Sequence, residues 1–74
     1  MKSKYCYDER TLGNNLLGKR REQRLTQDFV AKKLGIARST LSQIENGRNP
    51  ITIIQLCKFA DLFNCSTDEL LSAE

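Results

Sequence analysis

Gln27-Asp28-Phe29-Val30-Ala31-Lys32-Lys33-Leu34-Gly35-Ile36-Ala37-Arg38-Ser39-Thr40-Leu41-Ser42-Gln43-Ile44-Glu45 carries two helical periods with almost nothing between them. Val30 and Leu34 stand four apart on one face, with Phe29 and Ala31 flanking that face. Ala37, Leu41 and Ile44 repeat at i, i+4 and i+7. Gly35 closes the first period with the residue that most readily takes a positive φ. The joint Gly35-Ile36-Ala37 is too short for two helices to lie antiparallel along long apolar faces. It predicts a steep crossing, a helix-turn-helix over about residues 27–46. Such a crossing needs a small side chain where the backbones approach, and Ala31 supplies it. Val30, Leu34, Ile36, Leu41 and Ile44 are expected to pin both helices to the rest of the domain.

Upstream, a helix is expected from Leu12 to about Arg24, with Leu12 and Leu16 facing inward. Lys19 stands where a third apolar residue would continue the stripe, so its stem is expected along the core with the ammonium in water. Gly13 and Gly18 should weaken this helix by up to about 1 kcal/mol each relative to alanine. Thr26 is an N-cap for the next helix, and Asp28 suits its dipole. Downstream, Asn46-Gly47 is a stop and Arg48-Asn49-Pro50 a short loop. A fourth helix from about Thr52 to Phe63 should bury Ile53, Leu56, Cys57, Ala60 and Phe63. Ser66-Thr67-Asp68-Glu69 reads as a capping box that opens a brief fifth helix carrying Leu70 and Leu71. No segment alternates with period two. The expected fold is all-α, five short helices around one core, with a domain at residues 11–72 and a flexible tail at residues 1–10.

Seventy-four residues make one domain at most. Three cysteines, Cys6, Cys57 and Cys65, with no CxxC pair and no histidine, argue against a disulfide framework or a zinc site. Nothing resembles a phosphate-binding loop, a cofactor motif or a nucleophile with its base, so no cofactor and no enzymatic activity are expected. No apolar run approaches the length of a membrane span, and no signal peptide is evident, so a cytoplasmic protein is expected. Eleven of the twelve Lys and Arg, but only five of the nine Asp and Glu, fall in residues 1–48. That half carries about +6 and residues 49–74 about −3, a distribution suited to a polyanionic partner.

The side of the third helix left over from packing is polar. Arg38 can donate twice to guanine, and Gln43 can pair bidentately with adenine. Ser39 and Ser42 are short enough to approach base edges. Taken singly these are ordinary surface residues, but together they line the second helix of a tight helix-turn-helix. Free backbone N–H groups at Thr26-Gln27 favour an anion such as a phosphate.

The chain resembles the Cro and lambda-repressor type of helix-turn-helix proteins, the xenobiotic-response-element family. The matching residues are Leu25-Thr26-Gln27, Val30 through Ile36, Ser39 through Gly47, Asn49-Pro50, Leu56 with Ala60 and Phe63, and Ser66 through Leu71. The resemblance implies a lambda-repressor-like domain that binds double-stranded DNA as a homodimer on a palindromic operator and regulates transcription, with repression the expected sense. It implies base contacts from Arg38, Ser39, Ser42 and Gln43. It implies phosphate contacts from Thr26, Gln27, Thr40, Asn46 and Arg48. Arg20 and Glu45 match a family ion pair between the first and third helices. Three residues depart from the pattern: Ala37 at a position usually capped by Ser or Thr, Lys19 for an apolar residue, and Leu17 at an outward position. An alternative is an antitoxin or other protein-interaction module that binds DNA only to regulate itself. Tyr5-Cys6-Tyr7 and Leu17 are the residues that would serve a protein partner.

Overall fold

A computed structural model describes residues 8–72, which form α1 (Glu9–Glu22), α2 (Gln27–Leu34), α3 (Arg38–Glu45), α4 (Ile53–Phe63) and α5 (Thr67–Leu71). The all-α, five-helix expectation holds. Side-chain oxygens of Thr26, Thr52 and Ser66 accept the third helical N–H of α2, α4 and α5, which satisfies donors the helix itself cannot. The capping box lies at Thr52 and Gln55, where both reciprocal bonds are 3.0 Å. At Ser66 the structure gives the cap on Glu69 N–H at 3.1 Å.

α1 starts at Glu9, three residues before the expected Leu12. Asp8 is its N-cap, accepting from Arg10 N–H at 3.0 Å and from the Thr11 hydroxyl at 3.3 Å. The first turn is polar, so an apolar period could not reveal it. Asp8, Glu9 and Arg10, expected in the tail, therefore belong to this cap and turn. Tyr5-Cys6-Tyr7 lies outside the described residues.

Four helices end in one way. At Arg24, Gly35, Gly47 and Asn64 the backbone takes a positive φ of 57°, 72°, 72° and 55°. The next N–H then reaches back five residues, as from Ile36 to the Ala31 carbonyl at 3.0 Å and from Arg48 to that of Gln43 at 2.9 Å. This closure satisfies carbonyls left open at a helix end.

The core is Leu12, Leu16, Val30, Ala31, Leu34, Leu41, Ile44, Leu56, Phe59, Ala60, Phe63 and Leu70. Leu25, Ile36, Ile51, Leu62, Cys65 and Leu71 pack against it, half-buried. α1 lies against α3 and α5, while α2 lies against α3 and α4. Leu17 is half-buried rather than outward. Lys19 does send its ammonium off the core, and it meets Glu69 of α5 at 3.0 Å.

α4 is rotated from its expected phase. Ile53 is 79% exposed and Ile54 69% exposed, and Cys57 is also exposed, whereas Phe59 is fully buried. Leu56, Phe59, Ala60 and Phe63 form the inward stripe, with Phe59 and Phe63 stacked at 5.9 Å between ring centroids. The helix is apolar on two sides, and the larger aromatic payload takes the core. Cys57 is thus a surface thiol rather than a core residue. Burial pushes the Cys65 thiol above its ordinary pKa.

Gly13 has a structural task that its helix propensity hides. A Cβ there would collide with the backbone carbonyl oxygens of Ile44 and Glu45, the latter at 2.8 Å. The missing side chain lets α1 lie directly on the last turn of α3.

Candidate nucleic-acid interface

The turn between α2 and α3 is built by backbone. Gly35, at φ 72° and ψ 31°, redirects the chain, and its N–H and that of Ile36 close the end of α2. Ala31 is buried on the inner side of α2, as the tight helix pair requires. Leu41 and Ile44 of α3 are 0% and 2% exposed, so its inner face is fixed. Arg38, Ser39 and Gln43 are exposed on the same helix, and Thr40 and Ser42 are half-buried beside them. One face therefore anchors α3 and the other is offered to solvent.

A polar network fastens both ends of this unit to α1. Arg20 donates through Nε to Glu45 Oε2 at 2.6 Å, through Nη2 to Oε1 at 3.2 Å, and through Nη1 to the Leu25 carbonyl at 2.8 Å. Glu45 is only 5% exposed, and this two-pronged pairing answers the cost of its burial. The expected pair of Arg20 and Glu45 is thus present. Gln27 Nε2 also donates to Glu45 Oε1, at 2.9 Å. Gln27 Oε1 accepts from Arg38 Nε at 3.3 Å. Asp28 Oδ1 lies 3.8 Å from the same Arg38 nitrogen. Among the described residues, no buried side-chain nitrogen or oxygen lacks a partner.

The residues named at the rim fall in two groups. Thr26 precedes α2, and its hydroxyl oxygen caps Phe29 N–H at 3.1 Å. Gln27 begins the helix, with its side chain drawn into the network. Asn46 and Arg48 follow α3 and are exposed, and Asn46 turns its amide back onto the Ser42 carbonyl at 2.9 Å. Arg38 and Arg48 thereby flank the two ends of the exposed face of α3 with positive charge. Sequence reasoning missed three contributors: the link from Gln27 to Arg38, the carboxylate of Asp28 beside it, and Gly13 behind α3. A polar residue opening α2 was the sole visible trace of the first.

A helix-turn-helix family model, HTH_3, matches residues 17–70. The chain belongs to that family. The family and fold are those of DNA-binding transcription regulators, which are not enzymes. This helix-turn-helix chain is 39% identical over 67 residues to the ImmF control region 10 kDa protein of Bacillus phage phi105, covering 90% of this chain and 74% of the phage protein. It is also similar to the restriction-modification controller protein C.AhdI from Aeromonas hydrophila, at a TM-score of 0.79 and 25% identity, over 88% of this chain and 98% of that one. The master regulator for biofilm formation SinR, solved in complex with DNA, superposes with a TM-score of 0.74 at 31% identity, over 82% of this chain and 98% of SinR. Among the described residues no helix is long and apolar enough to cross a membrane.

Proposed function

We propose that this chain, a DNA-binding transcriptional regulator by family and fold, is sequence-specific and reads the major groove with α3. The observation that carries the reading is the division of α3: Leu41 and Ile44 locked in the core, Arg38, Ser39 and Gln43 exposed on the opposite side. Arg38 and Gln43 read guanine and adenine edges, with Ser39 and Ser42 close to the bases between them. Thr26, Thr40, Asn46, Arg48 and the backbone N–H of Gln27 hold the sugar–phosphate strands on either side. The protein works in the cytoplasm as a repressor. The resemblance to a phage control-region protein and a restriction-modification controller supports a role in controlling genes.

One α3 spans few base pairs, so the chain acts as a homodimer on a palindromic operator. The exposed Ile53 and Ile54, just beyond the loop after α3, support a pairing surface there. Selection of bound sequences from a randomised duplex pool is expected to return an inverted repeat. Arg38→Ala or Gln43→Ala should then change the preferred base at one position of each half-site, by about 1–3 kcal/mol. Identical selected sequences for the wild type and both variants would refute the readout.

A further inference from the structure

We propose that Arg24 is a further DNA-backbone contact: its guanidinium holds the phosphodiester strand that passes the start of α2, and the chain bears a strained helix end to place it there. The inference deepens the reading of α3 given above and rests on α3 lying in the major groove.

The argument begins with the four positive-φ helix ends. Three of them use residues that take this conformation readily, Gly35, Gly47 and Asn64. The fourth is Arg24, at φ 57°. A long side chain meets a steric penalty in that region, so the turn after α1 would form more easily with glycine. Nothing within the fold compensates. Arg24 is exposed, and among the described residues its guanidinium makes no hydrogen bond or ion pair. Nor does the helix dipole of α1 require it, because Lys19, Arg20 and Arg21 already fill the last turn. A fourth cation there adds repulsion unless an anion arrives from outside.

The placement of Arg24 is fixed relative to α3. Its N–H bonds to the Arg21 carbonyl, and the Leu25 N–H to the Arg20 carbonyl, both at 3.0 Å. Arg20 also holds the Leu25 carbonyl at 2.8 Å and Glu45 at the end of α3. Arg24 thus stands in a segment tied to the same side chain that locks α3. Two residues on, Thr26 caps α2, its Cα within about 8 Å of that of Arg24. The nearby carboxylate of Asp28 is turned to Arg38, at 3.8 Å. A strand at the start of α2 therefore meets this arginine, whose planar fork matches a phosphate.

The test uses the full chain and two probes, a duplex recovered by the selection described above and one of unrelated sequence. Arg24→Gly and Arg24→Asn relax the turn and remove the charge; Arg24→Lys keeps the charge. Both relaxed variants should unfold at a thermal midpoint no lower than that of the wild type. Both should bind each duplex about 3- to 10-fold more weakly at physiological salt, with the salt slope reduced by about 1. Arg24→Lys should retain the slope. Lys58→Gln, which removes one exposed charge on α4, should change the slope little.

An unchanged slope in Arg24→Gly would overturn the proposal. So would a loss confined to one base pair, which belongs to a base contact. An equal change in Lys58→Gln would reduce the effect to net charge and overturn it as well. A clearly lower midpoint in both relaxed variants would assign Arg24 to the fold instead. Arg38→Ala, measured alongside, separates the two levels. If it leaves the base preference unchanged, the docking of α3 falls and this contact with it; if it shifts the preference while the Arg24 slope stays fixed, only this contact falls.

Discussion

Two glycines on one helix make opposite demands. Gly13 lies against backbone carbonyls of α3 that have nowhere to go, whereas a Cβ at Gly18 would meet nothing within 4 Å. Gly13→Ala should therefore destabilise the protein by about 1–3 kcal/mol, the usual cost of overpacking. Gly18→Ala should stabilise it by up to about 1 kcal/mol through helix propensity alone. Chemical denaturation of both variants checks this, and equal shifts of the same sign would contradict the packing described for α1 on α3. The sequence showed both glycines only as weak points in a helix, because propensity is local and the carbonyls of Ile44 and Glu45 are 31 and 32 residues from Gly13. Arg20 and Glu45 were legible through a family pattern. The attachment of Gln27 to that pair depends on which end of an amide faces a carboxylate, and only coordinates supply that.

At the scale of elements, α3 is the one long-enough helix whose start lacks help. Ala37 sits at its N-cap with no side-chain hydrogen bond, and no acidic residue occupies its first turn. Ala37→Ser should raise stability by about 1 kcal/mol in thermal or urea unfolding. An unchanged or lower midpoint would show that the turn resists the cap. α1 and α5 are joined by Lys19 and Glu69, and Asn15 adds bonds of 2.8 Å to the carbonyls of Leu70 and Ser72. The hydrogen bond from Lys19 and, after it, one from the Ser66 backbone N–H hold the Glu69 carboxyl below its ordinary pKa, and the Lys19 bond raises that of Lys19. A carboxyl with a lowered folded pKa stabilises above its ordinary range and loses that contribution as pH falls through the folded value. The raised lysine contributes at neutral pH and is lost only as pH climbs through its own raised value. Wild type should thus exceed Glu69→Gln in urea midpoint at neutral pH, with the gap closing in acid. A gap constant down to strongly acidic pH would exclude the ion pair as its cause. Helix ends were legible where a cap or a glycine marks them, as at Thr26, Gly35 and Ser66. The start of α1 escaped because Glu9-Arg10-Thr11 has no apolar residue to register. The phase of α4 escaped because Gln55, Lys58 and Asp61 mark only one polar arc, while Ile53, Ile54, Leu56, Cys57, Phe59, Ala60, Leu62 and Phe63 fill the rest of the helix and admit more than one inward stripe.

Across the whole molecule, charge and shape point the same way. The basic half of the sequence contains both helices of the turn, and Arg38 and Arg48 stand at the two ends of the exposed face of α3. Arg48 is exposed with only its backbone N–H engaged by the fold among the bonds described, to the Gln43 carbonyl. Arg48→Ala should weaken binding to all duplexes about equally and reduce the salt slope by about 1, read by titration at several salt concentrations. A change confined to one base pair would move Arg48 from the strand to the bases. The general plan of this surface was visible in the sequence because periodicity separates inner from outer residues on α3. The wiring behind it was not, since it joins residues 20, 27, 38 and 45 from three helices.

Gly47 satisfies two conditions that no other glycine of the chain meets together. Its φ is 72°, and a Cβ would fall 2.7 Å from the Cα of Arg10 and 3.1 Å from its nitrogen. Every replacement there forces the start of α1 away from the segment that terminates α3. A genetic screen for alleles that lose control of their target only on warming should therefore return position 47 repeatedly, although its hydrogen-only side group has nothing with which to touch an operator.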